Sequence, residues 1–334
     1  MRKVTWGVLS TAAIGVQRVI PPMMTSPVID VAAIASRDEA RAREWAGKLG
    51  IARAYGSYEA LLADPDIEVI YNPLPNSMHV EWTEKALAAG KHVLCEKPLG
   101  MTTQEARRLV AARDRSGRVL MEAFMVRTHP QWLSAREILR SGRIGRPTAL
   151  QMFFSYANFD PVNIRNRVEV GGGALMDIGC YPITLARFLF EGEPEAVAAS
   201  IDRDPTMGTD RLTGAMMAFS GGRLASFVCG TQLARFQVLH VLGEKGRVTV
   251  EIPVNALDDR PMRVVVDPGT DLVGTDAEVI EAPLCNQYRL QGEMFSRAVA
   301  EGGPIDPTLE DSIANMAVID AVVRAAGSGR WEKP

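Results

Sequence analysis

A lysine, an aspartate and a tyrosine carry the most specific chemistry in this chain. Lys97 stands in Cys95-Glu96-Lys97-Pro98, directly after the short apolar stretch Lys91–Cys95. Asp177 and Tyr181 stand four positions apart in Gly171-Gly172-Gly173-Ala174-Leu175-Met176-Asp177-Ile178-Gly179-Cys180-Tyr181, where a glycine-rich loop enters a helix. At that spacing the two side chains share a helix face. A free phenol has a pKa of about 10, and a nearby ammonium favours phenolate and brings that value toward working pH. Such a trio suits removal of a proton from an alcohol, with Asp177 orienting either the hydroxyl or the lysine. The alternative is structural: Asp177 complementing a helix N-terminus and Tyr181 packing as a core aromatic.

The elements that must hold these residues can be read from the pattern. Through about residue 120 strand and helix alternate. Val4–Leu9, Val28–Ala35, Ile67–Tyr71, Lys91–Cys95 and Arg118–Glu122 read as strands, with helices over Glu39–Leu49 (stopped by Gly50), His79–Ala89 and from the capping box Thr102-Thr103-Gln104-Glu105 onward. That alternation predicts a parallel sheet covered by helices. After residue 125 the rhythm changes to long strands without intervening helices, joined by hairpin turns such as Ser220-Gly221-Gly222-Arg223. The expected fold class is α/β, with a helix-covered parallel sheet in a first domain over 1–124 followed by a second domain over 125–334 built on an antiparallel sheet.

In a parallel sheet, ligands bind beyond the carboxyl ends of the strands, which places Lys97 at a crevice by topology. Ser10-Thr11-Ala12-Ala13-Ile14 follows the first strand, where small residues permit a tight turn and the next helix offers its amides to a pyrophosphate. The second strand ends in Ser36-Arg37, a hydroxyl and a guanidinium with no carboxylate in the acidic slot that reads a ribose 2′-hydroxyl. This favours NADP over NAD. Pro73, Leu74 and Asn76 follow the neighbouring strand and share its rim. His79, Glu96 and Arg165 are further candidate cofactor contacts, the last just ahead of the glycine loop.

Bulk properties exclude other classes. The 334 residues suggest two domains, and 47% apolar against 23% charged residues is ordinary for a globular chain. A net charge of −3 without a basic block argues against nucleic acid, and no uninterrupted apolar run has the length of a membrane span. Gln17 and Arg18 interrupt an N-terminus that otherwise loosely mimics a leader. Four scattered cysteines without CxxC point to free thiols, a cytoplasmic location and no metal site.

Taken together, Gly7–Gly15, Ser36-Arg37, Pro73-Leu74-Pro75-Asn76, Glu96-Lys97-Pro98 and Gly171–Tyr181 resemble the glucose–fructose oxidoreductase, inositol dehydrogenase and rhizopine-catabolism (Gfo/Idh/MocA) oxidoreductases over essentially the whole chain. Many members of that family carry histidine where Tyr181 stands. Tyrosine there is similar to the branch with glucose–fructose oxidoreductase, dimeric dihydrodiol dehydrogenase and NADP-dependent D-xylose dehydrogenases. The resemblance implies an N-terminal Rossmann domain and a C-terminal α+β domain with a large, open, mostly antiparallel sheet, with Lys97 and Tyr181 as the catalytic pair and Asp177 as a substrate-positioning residue. It implies a sugar or polyol substrate, with hydride passing between an aldopyranose C1 and nicotinamide, and a homodimer or homotetramer formed through the second sheet. Keto-sugar reduction, aldose–aldose oxidoreduction with retained cofactor, cofactor-dependent glycoside hydrolysis and a non-catalytic regulator stand as alternatives.

Overall fold

A computed structural model describes residues 2–334. Two compact units are formed: residues up to Thr128 together with Asn286–Ile313, and His129–Cys285 together with Ala314–Pro334.

The first unit contains a six-stranded parallel sheet among the described residues. Its strands are β1 (Val4–Leu9), β2 (Ile29–Ala35), β3 (Arg53–Tyr55), β4 (Val69–Asn72), β5 (His92–Cys95) and β6 (Leu120–Glu122), in the order β3-β2-β1-β4-β5-β6. β3 is a three-residue strand absent from the sequence reading. All four residues of β4 are buried, the pattern of a strand covered on both faces. The order reverses beside β1, and such a switch point is where α/β sheets open a crevice at the carboxyl ends of their strands.

Local signals act as expected in this unit. Gly50 ends the helix Glu39–Leu49 in the left-handed conformation, φ 72°. Thr102 caps Thr103–Ser116 by accepting from the Glu105 amide at 3.2 Å, but Glu105 reaches back to the amide of Met101, at 2.9 Å, not to that of Thr102. The returning segment is fixed in two places. The Trp6 indole donates to Ser296 at 3.1 Å and its ring meets Phe295 edge-on at 5.5 Å. Arg127, buried, is forked onto Asp306 and reaches Asp311.

The second unit contains an eight-stranded sheet: β7 (Pro147–Ala157), β8 (Pro194–Arg203), β9 (Asp210–Phe219), β10 (Arg223–Gly230), β11 (Gln232–Gly243), β12 (Gly246–Val250), β13 (Arg263–Asp267) and β14 (Glu278–Glu281). The order is β14-β13-β12-β11-β7-β10-β9-β8, antiparallel except where β10 runs parallel to β7. Along β7, Leu150, Met152 and Phe154 are buried at every second position, so one face of the strand is apolar. The helix Cys180–Phe190 is buried at every residue; its sequence is apolar on most sides, and its one charged residue, Arg187, is paired with Glu193. The stretch Val168–Phe190 is long and apolar enough to cross a membrane by composition, yet 89% of its window is buried inside the protein. The four cysteines are free thiols, three of them buried.

Candidate active site

In the first unit the β1–helix turn departs from the usual glycine design. Ser10 occupies the left-handed region, φ 84°, where glycine is the ordinary choice. Its amide donates to the Ala35 carbonyl at 3.0 Å and its hydroxyl accepts from the Ala12 amide at 3.2 Å, two local bonds that hold the serine in that conformation. Thr11 is buried, Ala12 and Ile14 are half-buried, and Ala13 is exposed at the start of the helix. That helix passes through a π turn at Gly15–Val19, a distortion common at functional sites.

At the end of β2, Ser36 is buried and its hydroxyl accepts from the Asp38 amide at 3.2 Å. Asp38 is the nearest carboxylate, and it is committed to capping the next helix through the amides of Ala40 and Arg41. Arg37 is exposed, and its charge opposes the rise that burial imposes on the Tyr58 phenol pKa. Tyr58 in turn packs edge-on against Trp82 at 4.9 Å. The guanidinium therefore neighbours a residue that the sequence reading did not single out.

The ends of β4 and β5 form one braced rim. Asn72 accepts from the Leu74 amide at 3.3 Å and donates to the His79 carbonyl and the Thr83 hydroxyl, both at 3.2 Å. Pro73 and Leu74 are buried, and Asn76 is half-buried at the start of the helix Asn76–Ala88. Glu96 accepts from the Tyr71 phenol at 2.6 Å and from the Lys97 amide at 3.3 Å, which makes its carboxylate a brace for this rim. Burial, then the Glu96 charge, pushes Tyr71 well above the ordinary phenol value and Tyr288 up to about 12. Lys97 itself is half-buried. His79 is 1% exposed, with Nδ1 on the Pro98 carbonyl and Nε2 on the Leu74 carbonyl, each at 2.7 Å. Both ring nitrogens face the protein, so the ring serves the rim from inside and offers no nitrogen to a cofactor.

In the second unit Asp177 lies in a π turn, Leu175–Gly179, and Tyr181 in the first turn of the α-helix that continues it. The Tyr156 phenol donates to Asp177 Oδ2 at 2.5 Å, and Arg165 Nε donates to the same oxygen at 3.0 Å. The Asp177 carboxylate raises the Arg165 pKa, and burial followed by Asp177 raises that of Tyr156. Asp177 is thus held as an anion between a guanidinium and a phenol, and Arg165, a candidate cofactor contact by sequence, is tied to it. Tyr181 is buried and meets Phe154 edge-on at 6.1 Å.

The glycine loop has a steric reason. A Cβ at Gly172 would lie 2.6 Å from the Arg165 carbonyl oxygen, and one at Gly173 would lie 1.8 Å from Asp210 Oδ1. Asp210 Oδ2 accepts from the Leu175 amide at 2.7 Å and the Thr213 hydroxyl at 2.9 Å. A buried carboxylate on β9 therefore fixes the entry of the helix that carries Asp177.

Buried histidines set a pH limit on the fold. Burial lowers His79 and His129 from an ordinary 6.5 to about 4. In the unfolded chain these rings protonate below 6.5, whereas in the folded chain they resist until about 4. Stability is complete above the unfolded value and is lost as pH falls through this window, by up to about 3 kcal/mol for a fully buried ring. Urea midpoints at neutral pH and near the lower limit should differ accordingly; equal midpoints would contradict the assignment.

A parallel sheet whose strand order reverses beside β1, followed by a first turn with Ser10 in the left-handed region, marks a dinucleotide-binding class of fold in the first unit. The chain belongs to the oxidoreductase family with an NAD-binding Rossmann fold over residues 5–124 and the GFO/IDH/MocA C-terminal domain over residues 132–249. It is 47% identical to the uncharacterized oxidoreductase ORF334 of Rhizobium meliloti, over 99% of each chain. It is 37% identical to D-xylose 1-dehydrogenase (NADP(+)) 2 of Haloferax volcanii, over 97% of this chain and 98% of the relative. Among solved structures, the 3-ketoreductase KijD10 of Actinomadura kijaniata, in complex with NADP and TDP-benzene, superposes with a TM-score of 0.90 at 31% identity, covering 97% of this chain and 98% of the other.

Proposed function

We propose that the chain is an NADP-dependent sugar oxidoreductase that oxidises an aldopyranose at C1 to the lactone. The observation that carries this reading is the clamped Asp177 anion, in the helical turn just ahead of Tyr181. A carboxylate fixed in place by Tyr156 and Arg165 is a positioned acceptor for a sugar hydroxyl, and the tyrosine that follows it is the group to take the proton.

The cofactor suits the first unit. The left-handed turn at Ser10 suits a helix start that receives a pyrophosphate, and Arg37, near Tyr58, follows a strand end where the adjacent carboxylate, Asp38, caps the next helix. When bound, NADP accepts hydride from the sugar or returns it. The protein's own part is to orient and to move one proton. Asp177 orients the hydroxyl, Tyr181 takes the C1 hydroxyl proton as the C1 hydride departs, and the Lys97 cation favours the phenolate form of Tyr181. The same residues return the proton in the reverse direction.

Reduction of a keto-sugar is the second reading, favoured by the likeness to the Actinomadura 3-ketoreductase. Assembly through the eight-stranded sheet into a homodimer or homotetramer is supported by Met216, Phe236 and Leu242, which its strands leave 42%, 53% and 46% exposed.

A panel of aldoses and keto-sugars, followed through reduced nicotinamide with NADP and with NAD, tests the reading. One aldose oxidised with NADP preferred supports it; turnover of keto-sugars alone moves the chain to the second reading, and free sugar released from glycosides without net redox overturns both. For the cofactor, Arg37→Ala should weaken NADP by about ten- to a hundredfold, the loss of a charge-assisted phosphate contact, and NAD far less. Equal losses for the two cofactors would remove Arg37 from the 2′-phosphate.

A further inference from the structure

We propose that His79 is the positioning residue for Lys97, acting through a hydrogen bond from its Nδ1–H to the Pro98 carbonyl. The inference rests on the role proposed above for Lys97.

Three observations support it. First, the His79 ring spans two loops that end adjacent parallel strands, with Nδ1 2.7 Å from the Pro98 carbonyl oxygen and Nε2 2.7 Å from the Leu74 carbonyl oxygen. The ring is 1% exposed, so water cannot take either place. Second, proline has no amide hydrogen, and its carbonyl is its only backbone hydrogen-bonding group. The residue that follows Lys97 is therefore held, through the one polar backbone group it has, by His79. Third, the Leu74 loop has other restraints: its amide donates to Asn72 Oδ1 at 3.3 Å, its side chain is buried, and Met78 donates to the Pro75 carbonyl at 2.8 Å.

A neutral imidazole carries one N–H and can satisfy one of the two carbonyls. Burial opposes the doubly protonated ring, and the Lys97 charge opposes it further. The single donor does more on the Pro98 side, where the loop bearing the lysine needs it. The helix Asn76–Ala88, packed by Asn72 at the His79 carbonyl, supplies the rigid mount.

Asparagine places its amide nitrogen near Nδ1 and glutamine places its nitrogen near Nε2, so two variants separate the two bonds. His79→Asn keeps a donor for Pro98 and should hold kcat within about threefold of the parent, whereas His79→Gln, with a donor only for Leu74, should lower kcat by about tenfold or more. NADP affinity, measured by direct binding, should change by less than about threefold in both. The isotope-labelled Cε signal of Lys97 reads the brace without turnover: it should stay in place in His79→Asn and move in His79→Gln. In the parent protein, nitrogen NMR of the His79 ring should show the proton on Nδ1, a reading that requires no variant to fold. A proton on Nε2 overturns the proposal, as does a Lys97 signal or kcat that responds alike in the two variants. Absence of sugar turnover in the parent would sink the redox reading instead, leaving the Lys97 signal and the ring tautomer to decide the brace.

Discussion

Tyr181→Phe abolishes hydride transfer, lowering kcat by about a thousandfold, while NADP binds as before. The magnitude is that of a general acid–base group removed from a transition state it serves. The substitution deletes one oxygen and leaves the ring. Tyr181 is buried and its ring meets Phe154 edge-on at 6.1 Å, a contact phenylalanine keeps. The fold should therefore survive, and the candidate dinucleotide turn at Ser10 and the Arg37–Tyr58 pair belong to the other unit. Steady-state rates and direct NADP titration make the split visible. Turnover within tenfold of the parent would remove Tyr181 from the proton transfer.

Gly173→Ala should be severely damaging to the second unit, costing more than about 3 kcal/mol. The new Cβ would stand 1.8 Å from Asp210 Oδ1 and 2.9 Å from its carboxyl carbon. The carboxylate cannot swing aside without releasing the Leu175 amide and the Thr213 hydroxyl. The backbone at residue 173, φ 123°, is itself one that L side chains rarely adopt. Gly222→Ala is the control: it shares positive φ, 75°, but its Cβ would meet nothing within 4 Å, so only the backbone cost of about 1 kcal/mol remains. Urea denaturation of the two variants should separate them clearly. Equal losses would mean that Asp210 yields, and that the helix entry is not pinned as described.

How much of this was legible beforehand depends on the range of the interaction. Signals carried by neighbours in sequence were readable. Glu39–Leu49 with its Gly50 stop follows periodicity and capping, and the aspartate–tyrosine spacing marks the helix that carries them. The partners of those residues were not readable. Tyr156 lies 21 positions before Asp177, in a separate strand; only the sheet's placement against the π turn brings its phenol to the carboxylate. The one available hint was its position two residues after Phe154, on the same face of β7. Tyr58 beside Arg37 and Asp210 against Gly173 are contacts between separate elements, for which sequence gives residue types but no distances. His79 was visible as a polar residue at a helix start, but its role depends on a second loop arriving at Pro98. The strands β3 and β14 carry no buried apolar run to mark them: Arg53–Tyr55 is half-buried throughout and Glu278–Glu281 is mostly exposed, with a carboxylate at each end.

The central claim concerns where a hydrogen goes. An aldose carrying deuterium at C1, offered with NADP in a single turnover, decides it by NMR of the recovered cofactor. The account predicts deuterium at nicotinamide C4, matched mole for mole by lactone. Sugar converted with the label still on C1, or lost to water with no labelled cofactor, would contradict it.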